Sequence, residues 1–141
     1  MDLEDLVAGR DVLAAAEAAV ILLDTHAAIW LAQGHRRGRP LERMPRLYLS
    51  PVSVLEVQFL IDAGRLRLVA GQTATALSTH DRWRIDEPPA EKWFARACEL
   101  GWTRDPFDRL LAAHALIRGW KLATADDTLQ AHLPESAVLR L

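Results

Sequence analysis

Four consecutive aliphatic residues, Val20-Ile21-Leu22-Leu23, with a carboxylate directly behind them, limit the fold more than any other stretch. A half-exposed strand alternates apolar and polar side chains. A strand apolar on both faces is covered on both, as in a parallel sheet with helices on each side. Asp24 stands at the carboxyl end of this run, where open α/β sheets bind ligands. Thr25-His26-Ala27-Ala28-Ile29-Trp30-Leu31 continues as an apolar helix that Asp24 is placed to cap.

The same grammar recurs along the chain. Leu47-Tyr48-Leu49 reads as a second short strand, and Ser50-Pro51 supplies the N-cap and first turn of a helix to Gly64. Residues 83–86, 121–124 and 137–139 offer three further strands. Pro88-Pro89 opens a helix through Trp93, Phe94, Ala97 and Leu100, and Asp105-Pro106 opens another that ends at Gly119. In the latter, Phe107, Leu110, Leu111, His114 and Ile117 draw a buried stripe. A short helix reaches about His132, a small one spans 71–80, residues 65–69 look extended, and 34–46 read as a loop. Strands alternating with helices over short connections predict an α/β fold. Length allows one domain with a real core, here 18–141, preceded by a helical extension over 1–17.

Composition narrows the function classes. A formal charge of −2 gives no global pull toward nucleic acid, so any attraction is local. Arginine outnumbers lysine fifteen to two, which suits planar, bidentate contact with phosphate or carboxylate and equally fits the codon composition of the source genome. The arginines of the 34–46 loop (Arg36, Arg37 and Arg39 among them) are either solvated surface or a contact to a phosphate backbone. Cys98 is alone, which rules out an internal disulfide, and its apolar helical surroundings predict a small core residue. The five histidines show no metal-ligand spacing. The acidic start, Met1-Asp2-Leu3-Glu4-Asp5, is the opposite of a signal peptide's basic opening. The longest apolar run, around 14–23, is interrupted by Glu17 and too short to span a bilayer, so a cytoplasmic protein is expected.

Chemistry is carried by acids. The helix after the second strand is nearly all apolar from Val52 to Ile61, which predicts burial all round. Glu56 within it needs a cation, a donor network or a raised pKa, because an unpartnered buried carboxylate costs several kcal/mol. Ser53 lies one turn earlier on the same side. Asp105 is a good N-cap, and Asp108 lies in the first turn of the same helix, near the positive end of its macrodipole. Thr124, Asp126 and Asp127 follow the fourth strand. Each acid has a capping or salt-bridge reading of its own. Together at one edge of the layer they repel, unless a cation neutralises them. Hard oxygen donors without a histidine or cysteine set point to Mg²⁺ or Mn²⁺. Such a site serves phosphoryl chemistry, in which ions activate water and stabilise the attacking and leaving oxygens.

Four segments, Leu22-Leu23-Asp24-Thr25-His26, Ser50-Pro51-Val52-Ser53-Val54-Leu55-Glu56, Asp105-Pro106-Phe107-Asp108-Arg109-Leu110-Leu111-Ala112-Ala113 and Thr124-Ala125-Asp126, resemble the four motifs of PIN-domain proteins, most of all the VapC-type toxins of bacterial toxin–antitoxin pairs. The resemblance covers 20–141. It implies a three-layer sandwich around a five-stranded parallel sheet. It also implies a Mg²⁺- or Mn²⁺-dependent endoribonuclease, usually a homodimer, silenced by a cognate antitoxin that inserts a segment into the acidic groove. Asp24, Glu56, Asp108 and Asp126 match the family's acidic quartet, with Asp105 as a cap and secondary acid. Thr124 and Ser53 match its small hydroxyl positions, and Asp127 stands beside them. Arg109 and the arginines of the loop would steady the RNA backbone. Thr103 departs from the pattern, since many relatives carry a histidine there.

Two other classes stay open on the residues alone. In a non-catalytic binding module the acids are caps and ion-pair partners, and binding a protein is the function. A phospho-accepting signalling domain would also place an aspartate behind a buried strand. That chemistry wants an acidic pair beside the first strand and a lysine after a late one, and Lys121 precedes its strand.

Overall fold

A computed structural model describes residues 19–69 and 72–141; the helix expected over 1–17 lies outside them. Five short strands, β1 (Ile21–Leu23), β2 (Leu47–Leu49), β3 (Arg84–Ile85), β4 (Lys121–Thr124) and β5 (Val138–Arg140), form one sheet in the order β3-β2-β1-β4-β5. Every pairing is parallel, with Leu22 opposite both Tyr48 and Leu122. The helices are α1 (Thr25–Gln33), α2 (Pro51–Asp62), α3 (Ala90–Cys98), α4 (Pro106–Arg118) and α5 (Asp127–His132).

Three layers follow from the pleat, which sends successive side chains to opposite faces. Leu22, Leu122 and Val138 pack with Trp93, Leu111 and Leu129 from α3, α4 and α5. Ile21, Leu23, Leu47, Leu49 and Ala123 pack on the other face with Ala27 and Ala28 of α1, Leu41 and Trp83. β1 is central and fully buried, as its composition requires. The chain runs outward from β1 through β2 to β3, then returns by α3 and α4 to lay β4 against the other side of β1. That reversal leaves a crevice at the carboxyl ends of β1 and β4.

Several expectations are revised. The 34–46 segment is not all loop, because Arg36–Leu41 forms a 3₁₀ turn after Gly34 closes α1 at φ +67°. The helix expected over 71–80 is a 3₁₀ turn, Ala74–Thr79. α2 is not buried all round: Leu55 and Phe59 are 54% and 55% exposed, because no element among the described residues covers that face. Cys98 is exposed, since α3 turns Trp93 and Ala97 inward, with Leu100 beyond its end, and Cys98 falls on the opposite side. α4 is buried more broadly than a stripe, with five consecutive residues from Leu111 to Ala115 inside.

Candidate active site

Each acid reaches the crevice by a local rule of chain folding. Asp24 ends β1 and caps α1, its Oδ1 accepting from the Ala27 N–H at 2.7 Å. Asp126 follows β4 and caps α5 through Leu129 N–H at 2.9 Å. Asp105 caps α4, accepting from Phe107 and Asp108 N–H at 2.8 and 3.2 Å. That cap sets the first turn so that Asp108 projects beside it. Glu56 comes from the second turn of α2, which Ser50 caps and Pro51 opens.

Asp24, Glu56, Asp105, Asp108 and Asp126 line one pocket of about 200 Å³, with Thr25, His26 and Arg65 at its wall. Two buried hydroxyls organise it. The Thr124 hydroxyl hydrogen-bonds Asp24 and accepts from Asp126 N–H at 3.0 Å, tying the acids behind β1 and β4 together. The Thr25 hydroxyl bonds Glu56 Oε1 and lies 3.0 Å from Ser53 Oγ, so α1 and α2 are joined through Glu56. A hydroxyl has one proton to give, and an ionised Glu56 claims it. Of the open choices for Glu56, the structure gives a donor and a raised pKa. Burial lifts it above the usual carboxylate range, Thr25 opposes this, and Asp105 and Asp24 add to it.

Burial likewise raises Asp24, against the Thr124 and Ala27 bonds. Asp108 is the extreme case. Its side chain makes no hydrogen bond or ion pair among the described residues. Burial, then the charges of Asp105, Asp126, Glu56 and Asp24, push it up to about 7. A carboxylate whose pKa is raised by burial and then by four neighbouring acids marks a place of negative potential. Among the described residues no group of three His, Cys, Asp or Glu is arranged to hold an ion by itself. The carboxylate oxygens of the pocket are hard donors of the kind that Mg²⁺ and Mn²⁺ take, with water making up the rest of the shell.

The remaining expected residues are scattered. Asp127 is exposed in the first turn of α5 and is not part of the pocket wall. Arg109 Nε donates to the Thr103 carbonyl at 2.6 Å, bracing the turn before α4. Arg36 and Arg39 are exposed, while Arg37 lies over the Trp30 ring at 4.5 Å. Sequence reasoning passed over Thr25, His26 and Arg65. Thr25 had a signal, a hydroxyl directly after the strand-ending acid; Arg65 had none, because a turn at Gly64 brings it back.

Residues 21–133 match the family model described as PIN domain. Ribonuclease VapC22 of Mycobacterium tuberculosis (strain ATCC 25618 / H37Rv) is 29% identical over 119 residues, 79% of this chain and 91% of the relative. Among solved structures, a toxin–antitoxin complex from Klebsiella pneumoniae superposes with a TM-score of 0.61 at 22% identity, covering 84% of this chain and 95% of the other. PAE2754 from Pyrobaculum aerophilum gives 0.60 at 21%, over 89% and 91%. Both structural likenesses concern the fold.

Proposed function

This chain belongs to the PIN domain family, and from that premise we propose that it is a divalent-metal-dependent endoribonuclease, the toxin of a toxin–antitoxin pair. The observation that carries the reading is Asp108, a half-buried acid unpartnered among the described residues, in a pocket shared with Asp105 of its own helix start and with acids from three other segments of chain. The likeness to Ribonuclease VapC22 supports RNA as substrate. Asp24, Glu56, Asp108 and Asp126 would hold Mg²⁺ or Mn²⁺, with Asp105 near enough to add its charge. Such an ion supplies Lewis-acid stabilisation of phosphate oxygens and lowers the pKa of water.

The protein's own part is to fix the acids. Thr124 holds Asp24 and the Asp126 backbone in register, and Thr25 aims Glu56. The loop arginines and Arg109 would meet the phosphates that flank the cut, where a guanidinium suits phosphate geometry. A cleft lined by Ile29, Val57, Leu66, Leu68 and Leu77 offers apolar surface for an antitoxin segment. The α2 face left exposed among the described residues, Leu55 and Phe59, with Phe107 edge-on to Phe59 at 5.3 Å, suits a second copy of the chain. No helix among the described residues is long and apolar enough to cross a membrane, and the reading places the protein in the cytoplasm, with its RNA.

One observation favours the catalytically silent binding module: Asp24, Asp105 and Asp126 are all N-caps. Asp108 caps nothing and separates the two. Cleavage of structured RNA by the purified chain in Mg²⁺ or Mn²⁺ tests the proposal. We expect activity lost in Asp24→Asn and Asp108→Asn with folding intact. Full activity in excess chelator sinks it.

A further inference from the structure

Beside the acidic pocket lies a second concavity of about 230 Å³, lined by Asp24, His26, Trp30, Arg37, Ala125 and Asp126. It shares Asp24, His26 and Asp126 with the first, so whatever lies on one is a neighbour of whatever lies on the other. Its distinctive wall is Trp30. Of the five tryptophans, Trp83 and Trp93 are buried, and Trp102 and Trp120 pack against the core. Trp30 is only partly buried and packs against neither core cluster. The large apolar ring is spent at the mouth of the site.

Its surroundings are aromatic and cationic. The His35 ring lies nearly parallel to the indole, tilted 25° at 5.8 Å, and His26 stands 6.1 Å away, one helical turn back. The Arg37 guanidinium sits 4.5 Å from the ring centroid. His35 Nδ1 accepts from the Arg37 backbone N–H at 3.1 Å, so one short turn fixes the His35 ring and the Arg37 backbone. That turn is pressed onto α1 at Gly38, where a Cβ would meet Leu31 N at 2.9 Å. Backbone approach thus sets the turn against α1, and the exposed Arg37 guanidinium extends from it.

Sites for unpaired nucleic acid combine cations that follow the backbone with aromatic faces on which bases stack. Here both stand one pocket away from the acids. We propose that Trp30, set between His26, His35 and Arg37, is a stacking ledge for the base of the nucleotide next to the scissile phosphate. The exposed Arg37 guanidinium, which lies over the indole at 4.5 Å, swings off that face to meet the phosphate of the nucleotide when the base stacks. The ledge takes any base by its π-face and requires it to be unpaired, so it selects cleavage at single-stranded positions. This rests on reading the acidic pocket as the site of phosphodiester cleavage.

The test uses a fluorescein-labelled ten-nucleotide unstructured RNA and versions with one abasic ribose at each position. Binding is read by anisotropy in Mg²⁺ with the full chain carrying Asp108→Asn, and cleavage in the parent chain. Trp30→Ala is expected to weaken binding and kcat/KM about 5- to 100-fold, with Trp30→Phe recovering most of the loss. One abasic position should cost the parent a similar factor and cost Trp30→Ala nothing further. Should Trp30→Ala unfold by thermal melting, Trp30→Leu takes its place, keeping apolar bulk without a π-face. Binding and cleavage indifferent to Trp30, or no abasic position that matters, overturns the ledge while leaving the nuclease reading intact. Unchanged RNA binding with lost binding of an arginine-rich peptide assigns the ledge to a protein partner and overturns the proposal. A parent chain that neither binds nor cuts any RNA overturns both readings together.

Discussion

Asp108 shows how a single side chain reports on its surroundings. Its carboxyl, raised from 3.8 to about 7, binds a proton in the folded chain over a range where the unfolded chain does not. The stability it contributes is full below about pH 4 and is lost as the pH rises toward 7. Asp108→Asn is therefore expected to raise the melting temperature at pH 8 and to leave it little changed at pH 4. The gain is on the order of 1–2 kcal/mol once solvent screening of this half-exposed group is allowed for. Magnesium should act on the same repulsion. Added Mg²⁺ should stabilise the wild-type chain more at pH 8 than at pH 5, because the proton and the cation compete for the same oxygens. Differential scanning calorimetry across that range checks both expectations. A flat response to Mg²⁺ at pH 8 would count against ion binding at this pocket.

Among the helices, α4 ties its two ends to different tasks. Its N-terminus carries Asp105 as a cap and as a charge, and two substitutions separate those roles. Asp105→Asn keeps the cap and should leave the melting temperature within experimental scatter while lowering the pKa of Asp108. Asp105→Ala removes the cap as well and should cost about 1 kcal/mol. Carboxyl titration by NMR, set beside thermal melts, distinguishes them. At the other end, His114 is fully buried, with Nε2 2.7 Å from Asp86 Oδ2, and Arg118 holds both oxygens of Asp86 at 2.9 and 3.1 Å. This clamp fastens α4 to the residue after β3. Burial works against ionised Asp86, yet the bonds from Arg118 and His114 hold it below its usual range. With Nε2–H donated to Asp86, Nδ1 is left as a buried lone pair without a partner among the described residues. Burial lowers the His114 pKa, although Asp86 opposes this. The unfolded chain therefore takes up the proton first, and stability should fall as the pH drops below 6.5. His114→Gln should flatten that slope in melts between pH 5 and 7. None of this clamp was legible in the sequence, because its partners are 28 and 32 residues apart and no local pattern links them.

In the whole molecule, the outward face of α2 is the surface with most to explain. Phe59→Asp is expected to leave the fold intact and to convert the proposed dimer to a monomer in light scattering, since Phe59 is half exposed among the described residues. A monomeric parent would refute that interface. The architecture itself was largely readable. Unalternating runs such as Ile21–Leu23 require cover on both faces, and Ser50-Pro51 and Asp105-Pro106 mark helix starts through backbone chemistry that operates locally. The acids were readable as positions behind strands and at caps. What escaped was whatever depends on where side chains point in space: Thr25 bonding Glu56, Arg109 turning back to Thr103, Leu55 facing out. The sheet order also has a consequence in time. Asp24 and Asp126 flank one crevice but are made roughly a hundred residues apart, and β4 must emerge before it can slot in beside β1. At ribosomal speeds of about 5–20 residues per second, that is a delay on the order of 5–20 seconds. During synthesis the pit therefore stays open after Asp24 has emerged, and it closes only once the segment carrying β4 and Asp126 has followed.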